Sequence, residues 1–488
     1  MIMRTKIQGS YVVAFDGQSH QLIKDGVVVY EDDKIIYTGK SYTDPVDKTI
    51  VAPGRLISPG LINIHCLASL CLTHLRLDGS GAGLAVSKEY AVDGIGNITL
   101  EGNDQEISSK FSVANILKGG ATTFGAITPM AGSRFEGPKD EANSIAQTAG
   151  KMGARAYVSH NYRSGLKYQT KDGATAYHWD EEAGHKGLEA AIQFAKRIQG
   201  SFDGRINSLL FPYQLETCTP ELLQATNDAA RTLSIGKRMH TSQYLTEFHE
   251  LKKRHGKTPT RLLADIGFLD QQTILTHMIW TTSHFESGYP FRDVSELELI
   301  AKAGTTVATC PVIYSRSGQI LYSFGLYQRM GINLTIGSDA FPQDILREMR
   351  YAALLSKIAE RDRIGVTARD VYNAVTVNGA KALNRNDIGR LAPGTKADIV
   401  IFDLRPLNMG LIDDPIKSIV YWGSQDIVET VIVDGNVVVA NHQIPGLDEE
   451  ALAIEANVVN QKQKQRFVAQ NTQGLSVDDL FPPSFKTL

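Results

Sequence analysis

A chain of 488 residues is too long for one ordinary domain and suits a large α/β barrel with an appended domain. Its 42% apolar and 21% charged residues and net charge of -3 describe a soluble globular protein, and call for neither nucleic acid nor a membrane surface as a partner. Four cysteines (Cys66, Cys71, Cys218, Cys310) are too few for a disulfide framework and form no CxxC pair, which points to a reducing cytoplasm.

The N-terminus, MIMRTKIQGSYVVAF, lacks a long apolar core followed by small residues, so no signal peptide is expected. No apolar run approaches the roughly 18 residues a membrane helix needs. Residues 27–30 and 35–37 are apolar runs flanking Glu31, Asp32 and Asp33, the pattern of a β-hairpin. From about residue 59 the texture changes. Short apolar runs at 120–127, 154–160, 207–213, 272–279, 304–311 and 333–340 are separated by segments of helical period such as PELLQATNDAARTL (220–233) and ELELIAKAG (296–304). Together with runs near residues 63 and 240 they make about eight strand-helix units, which predicts a (β/α)8 barrel. Strand-like runs return at 397–404 and 428–443, the second around an Asp434-Gly435 turn. The expected organisation is therefore a β-sandwich domain built from both termini (1–58 and 386–445), a barrel over 59–385, and a C-terminal helix with an extended arm over 446–488.

In such a barrel chemistry sits at the C-terminal ends of the strands. Four residues close apolar runs in the required way: His65 after GLINI, His240 after IGKRM, His277 after QTILT and Asp339 after NLTIGS. Three imidazoles and a carboxylate at one barrel mouth supply ligands for a divalent ion and a base for its water. Zinc heads the candidates, and iron, cobalt and manganese suit the same donors.

SPGLINIH, GGATTFGAI, HTSQ, LTH, GSDA, REMRYAALLSK and TVNGAKALNRNDIGRLAPGTKADIVIFDL, in that order and over about residues 25–443, resemble the amidohydrolase superfamily. The branch of triazine hydrolases and cytosine or guanine deaminases is the most similar. The resemblance implies a His-x-His ending the first strand, a histidine followed three residues later by Glu at the fifth, a histidine at the sixth and an aspartate at the eighth. His65, His240, His277 and Asp339 take the ligand places, but Leu67 stands where the second histidine belongs and Gln243 where the glutamate belongs. Side chains alternate along a strand, so Cys66 faces the surrounding helices and reads as a buried apolar residue rather than a ligand. His74 is close enough in sequence to reach back, although a loop histidine is the plainer reading.

Gln243 bears on the reaction, because a carboxamide cannot transfer protons at neutral pH as a shuttling carboxyl does. That favours hydrolysis of an amide, urea, carbamate or related C-N bond by metal-activated water. Asp339 would take the proton, His277 would hold the water or the developing oxyanion, and Gln243 would orient the substrate. Deamination or dehalogenation of a heteroaromatic ring is the alternative within the family, and a catalytically inactive binding or assembly barrel is the alternative outside it. Substrate-binding candidates on the loops are His160, Asn161, Arg163, Gln214, Trp280 and Tyr314, with Met130, Tyr162, Tyr213 and His284 nearby. Cys310 has no recognisable nucleophile partner and reads as structural. A small-molecule substrate follows, and the resemblance implies a homo-oligomer, a dimer or larger.

Overall fold

A computed structural model describes residues 3–70, 77–78, 87–94, 100, 102–128, 134–137, 139–290, 293–469 and 475–485. Cys71, His74 and Met130 lie outside the described residues.

Four strands open the chain: β1 (Arg4–Phe15), β2 (His20–Glu31), β3 (Lys34–Gly39) and β4 (Lys48–Pro59). The hairpin read at residues 27–37 is the distal part of the β2-β3 pair. Barrel strands β5 (Leu61–Leu67), β6 (Ala121–Ile127) and β7 (Arg155–Ser159) follow, almost wholly buried, as parallel strands covered on both faces must be. After β7 the chain makes an excursion, β8 (Asn161–Tyr162), β9 (Gly165–Gln169) and β10 (Thr175–Trp179), the last two forming a hairpin. It returns through β11 (Ile206–Ser208) and β12 (Phe211–Pro212), then β13 (Lys237–Thr241), β14 (Thr273–His277), β15 (Thr306–Thr309) and β16 (Asn333–Ile336). The last strands are β17 (Ile399–Asp403), β18 (Val428–Val433) and β19 (Asn436–Val439).

The barrel consists of two parallel ladders, β5-β6-β7-β11 and β13-β14-β15-β16. Parallel bridges between Leu210 and Lys237 and between Cys66 and Asp339 join their edges and close the ring. The segment 207–213, which reads as one strand, changes partners as it climbs. Its start pairs with β7, Leu210 with β13, and its end with β8. Helices pack outside the ring and carry their caps in the sequence. Pro220–Leu233 starts at Thr219, whose side chain accepts from the Leu222 N-H, and has proline in its first turn, where a missing N-H costs nothing.

The terminal strands form one continuous seven-stranded ladder in the order β19-β18-β17-β4-β1-β2-β3. Its strands share a core of their own that includes Ile7, Val28, Ile57, Ile399 and Ile432. The Asp434-Gly435 turn lies against the β2-β3 turn, where a Cβ on Gly435 would meet the Asp32 carbonyl at 1.8 Å, so only glycine fits. Sheet and barrel are tied by Arg155 at the foot of β7. Its guanidinium, fully buried, pairs with Asp398 at 3.1 Å and Asp434 at 2.6 Å. The helix Glu449–Ala469 returns to the barrel, where Gln463 donates to the Leu70 carbonyl and Lys462 pairs with Asp104. Beyond it a short helix, Val477–Leu480, folds back so that Phe481 meets Phe467.

Cys66, Cys218 and Cys310 are buried and unpaired, and burial pushes the Cys66 thiol up to about 12, which makes it inert. Among the described residues no helix is long and apolar enough to cross a membrane.

Candidate metal centre

His65 lies near the end of β5, His240 near the end of β13, and His277 closes β14. Barrel closure brings the three together, with one ring nitrogen from each within 4.8 Å of the others. The Nε2 atoms of His65 and His240 are 3.0 Å apart. Asp339, beyond the end of β16, stands to one side with its carboxylate 3.9 Å from His277 Nε2. The three imidazoles are therefore the tight group, and Asp339 flanks it.

Burial holds His65 and His277 well below the ordinary histidine range, and burial together with the Arg238 charge pushes His240 down to about 3. All three are neutral imidazoles, the form that binds a metal. Their polar atoms are poorly matched otherwise. Both ring nitrogens of His277 and the Nδ1 atoms of His65 and His240 are buried with no hydrogen-bond partner among the described residues. Buried polar nitrogens are costly when unmatched, so converging neutral imidazoles fit a divalent cation well. A second triad with ligand spacing among the described residues, Asp403, Glu429 and His442, differs because Arg55 and Arg405 already neutralise its carboxylates.

Backbone geometry at the mouth is unusual in a concentrated way. Ser242, His277, Met278 and Asp339 have φ of 53°, 84°, 49° and 56°, and all four sit at or just past strand ends. Such conformations cost of order 1–3 kcal/mol each and cluster at functional sites. Gly337 is needed here too, since a Cβ would meet the His65 carbonyl at 2.5 Å. Burial raises the Asp339 carboxyl to about 7, with Arg316 pulling the other way.

Leu67 is half-buried, its N-H bonded to the Asp339 carbonyl and its own carbonyl accepting from Gln343 Nε2. It supplies backbone closure and no ligand. Gln243 donates from Nε2 to the hydroxyls of Tyr314 and Tyr244, while its buried Oε1 has no partner among the described residues. The Tyr314 ring stands edge-on to His277 with centroids 4.7 Å apart, so Gln243 and Tyr314 adjoin the histidines. Phe211 and Tyr213 flank His240 at 5.1 and 5.4 Å.

The other loop residues are more scattered. Arg163 holds the Arg134 carbonyl and lies over the Tyr213 ring at 5.8 Å, one ring removed from His240. Trp280 is buried in one apolar cluster with Phe248, Ile279 and Tyr314, and its ring meets that of His284 at 4.2 Å and 48° between planes. Asn161 donates to the Thr128 carbonyl, Gln214 donates to Glu216, and His160 lies 3.7 Å from Glu136 with its ring beside Phe194. The Gln214 bond stays within its own loop, and the Asn161 bond ties the segment after β7 to the residue after β6.

Arg238 escapes a reading based on strand ends. It precedes His240 by two residues on the same strand face, is fully buried, and donates to the carbonyls of Ile64, Ala126 and Tyr157 and to Ser159 Oγ. It ties three strands together beneath the histidines. Its sequence signal is a lone charge inside a barrel strand. Glu247 also escapes; its carboxylate accepts the N-H groups of Ser242 and Gln243 at 2.9 Å each, fixing the backbone that carries Gln243.

Residues 56–438 match the amidohydrolase family. The chain is 28% identical over 454 residues to a 5'-deoxyadenosine deaminase of Methanosarcina acetivorans, covering 92% of this chain and 96% of that protein. It is 28% identical over 440 residues to a 5-methylthioadenosine/S-adenosylhomocysteine deaminase of Thermococcus sibiricus, covering 89% and 94%. The fold is similar to that of atrazine chlorohydrolase from Arthrobacter aurescens TC1 complexed with zinc, with a TM-score of 0.75, 20% identity, and 93% and 100% of the two chains covered.

Proposed function

The chain belongs to the amidohydrolase family, as a metal-binding hydrolase of C-N bonds other than peptide bonds, and from that premise we propose that it releases ammonia from an amino-substituted nitrogen heterocycle. The substrate class is an adenine-ring nucleoside, and the overall change is R-NH2 + H2O → R-OH + NH3, with the product as its keto tautomer. The observation that carries the reading is the buried triad of neutral imidazoles beside Asp339 at the mouth of the barrel. Support for the ring substrate comes from the deaminase relatives, which align over about nine-tenths of the chain. The case for an amide or urea rests on Gln243 alone, and the relatives favour the ring.

A divalent ion, zinc first, held by His65, His240 and His277 would supply Lewis acidity that acidifies water near neutral pH. The chain's own groups do the rest. Asp339, with its carboxyl near 7, takes a proton from the attacking water and passes it to the departing nitrogen. His277, neutral and without a hydrogen-bond partner among the described residues, would serve the ion through one ring nitrogen, which leaves the other turned away from it. Gln243 can donate a hydrogen bond to a ring nitrogen by giving up its longer Nε2 bond to the Tyr244 hydroxyl but cannot protonate that nitrogen, so ring activation here is by hydrogen bonding. Phe211, Tyr213 and Tyr314 provide flat walls against which a planar base is held. Arg163 and Trp280 belong to the outer wall on the same reading. On the same reading the chain works as a homo-oligomer in a reducing cytoplasm, with the sheet, the barrel and the C-terminal helix as distinct units joined through Arg155, Gln463 and Lys462.

The test is metal content of the purified protein, followed by ammonia release from 5'-deoxyadenosine and 5'-methylthioadenosine beside a panel of amides, ureas and carbamates. About one ion per chain, and ammonia only from the amino-heterocycles, is the expected result, with Asp339→Ala abolishing it. Metal-loaded protein that hydrolyses only the acyl compounds would refute the ring assignment.

A further inference from the structure

Two barrel-strand arginines, Arg155 and Arg238, are fully buried, and their surroundings differ. Arg155 has two carboxylates, Asp398 and Asp434. Arg238 has none. Among the described residues its partners are three carbonyls and one hydroxyl, and its Nε has no partner at all. A buried charge is ordinarily paired, because its lost hydration is otherwise uncompensated. Burial brings the guanidinium down only to about 9, so it stays charged at neutral pH. Space is kept for it on the neighbouring strand β6, where a Cβ on Gly125 would meet Arg238 Nη1 at 2.6 Å.

This cation lies under the histidine triad. Arg238 precedes His240 by two residues on one strand face, a separation of ~7 Å along the strand. It donates at 3.3 Å to the carbonyl of Ile64, the residue before His65. The Phe211 ring adjoins both levels, with its centroid 5.6 Å from the guanidinium and 5.1 Å from the His240 ring. Arg238, Phe211 and His65 are all closed to solvent, so water and salt screen the charge little. Three neutral imidazoles bring no negative charge to a dication, and Asp339 flanks them. The fixed charge beneath an ion held there is therefore positive.

We infer that Arg238 sets the metal affinity of this centre: its unpaired charge opposes a divalent ion on His65, His240 and His277, which is held more loosely than the same histidines would hold it without that charge. The inference rests on the triad being the metal site. A unit charge and a dication ~7–10 Å apart, at an effective dielectric of roughly 20, repel enough to lower an association constant by at least about tenfold. A role confined to tying strands together predicts the opposite sign, since disturbing Arg238 would then loosen the triad and weaken binding.

The test is the zinc affinity of the full-length chain, stripped of metal and titrated in competition with a chromophoric chelator. Ser159→Asp sets a carboxylate where the Ser159 hydroxyl meets Arg238 Nη2 at 2.9 Å, so it pairs the charge and leaves the other guanidinium bonds in place. It should bind zinc about tenfold more tightly or better, while the isosteric Ser159→Asn stays within about twofold of the unaltered chain. Arg238→Gln, which removes the charge, should bind more tightly than Arg238→Lys, which keeps it. Agreement between the two pairs excludes a new ligand as the cause, because Arg238→Gln adds no carboxylate; the Ser159 pair decides the matter where Arg238→Gln fails to fold. Equal affinities for Ser159→Asp and Ser159→Asn, or a folded Arg238→Gln no tighter than Arg238→Lys, would overturn the inference and leave the metal centre standing. Zinc uptake that survives His240→Ala would refute the metal centre itself, and the inference with it.

Discussion

The sharpest perturbation is Gln243→Glu, which exchanges a carboxamide for an isosteric carboxyl at the position where the chemistry lacks an acid. Gln243 is 7% exposed, donates to the hydroxyls of Tyr314 and Tyr244, and leaves Oε1 without a partner among the described residues. Both tyrosine hydroxyls can turn to donate to a carboxylate, so the swap forfeits little bonding. The backbone stays fixed by the two bonds from Ser242 and Gln243 to Glu247. A positioned general acid contributes about 10²–10⁴-fold. At ~1.4 kcal/mol per decade that is a fall of roughly 3–5 kcal/mol in the barrier. The assay is steady-state ammonia release from 5'-deoxyadenosine at matched metal content. The expected outcome is a rise in kcat of about 10²–10⁴-fold with KM changed little, because the new group acts on the ring nitrogen only as the ring is attacked. An unchanged or lower kcat in a metal-loaded, folded variant would show that proton delivery is not what Gln243 limits, and the chemical reasoning about this position would fail.

Arg155→Met should destabilise the protein by about 3–5 kcal/mol, since it strands the buried carboxylate of Asp398 and leaves Asp434 with Lys396 alone; urea unfolding measures this, and equal midpoints for the two proteins would refute it. Chelation should abolish ammonia release and added zinc should restore it, whereas retention of full activity in metal-free protein would remove the histidine triad from the mechanism. Burial, helped by the neighbouring Glu216 charge, raises the Glu247 carboxyl to about 8, so the stability it contributes is complete below the ordinary value near 4.5 and is lost as pH rises through about 8. Glu247→Gln should flatten that limb of a stability-against-pH curve, and an unaltered slope would show that another group sets it.

How much of this was legible in the chain depends on the range of the interaction concerned. His65, His240, His277 and Asp339 each end an apolar run, and a parallel barrel turns that one-dimensional fact into convergence at one mouth. The barrel and the terminal strands were readable for the same reason, because burial pattern is local. The ladder order of the terminal sheet was not, since it pairs β4 with β17 across more than 300 residues of chain. Nor was the fate of Asn161, whose bond goes to Thr128 and depends on how loops meet. Arg238 shows the limit most clearly. Its partners are mainly backbone carbonyls from three strands, and no side-chain type in the sequence announces a carbonyl.

The departures at Leu67 and Gln243 look at first like the decay of a metal site, but the backbone around them argues otherwise. Four residues at the mouth sit at positive φ, a combined cost of several kcal/mol that persists only where surrounding bonds over-determine it. Those bonds are present in two sets. Asp339 N-H to the His65 carbonyl, with Leu67 N-H returning to the Asp339 carbonyl, locks the first strand to the eighth. Met278 N-H to the Thr241 carbonyl, with Ile279 and Trp280 N-H groups both on the Ser242 carbonyl, locks the fifth to the sixth. Leu67 thus gives no ligand yet still closes the barrel through its main chain. Histidine convergence is supported by this framework and by Arg238 beneath it. A bound ion would then contribute chemistry more than architecture, in contrast to small zinc domains that fold only when loaded. A thermal melt of chelated protein should therefore remain a cooperative transition even as its activity falls to background.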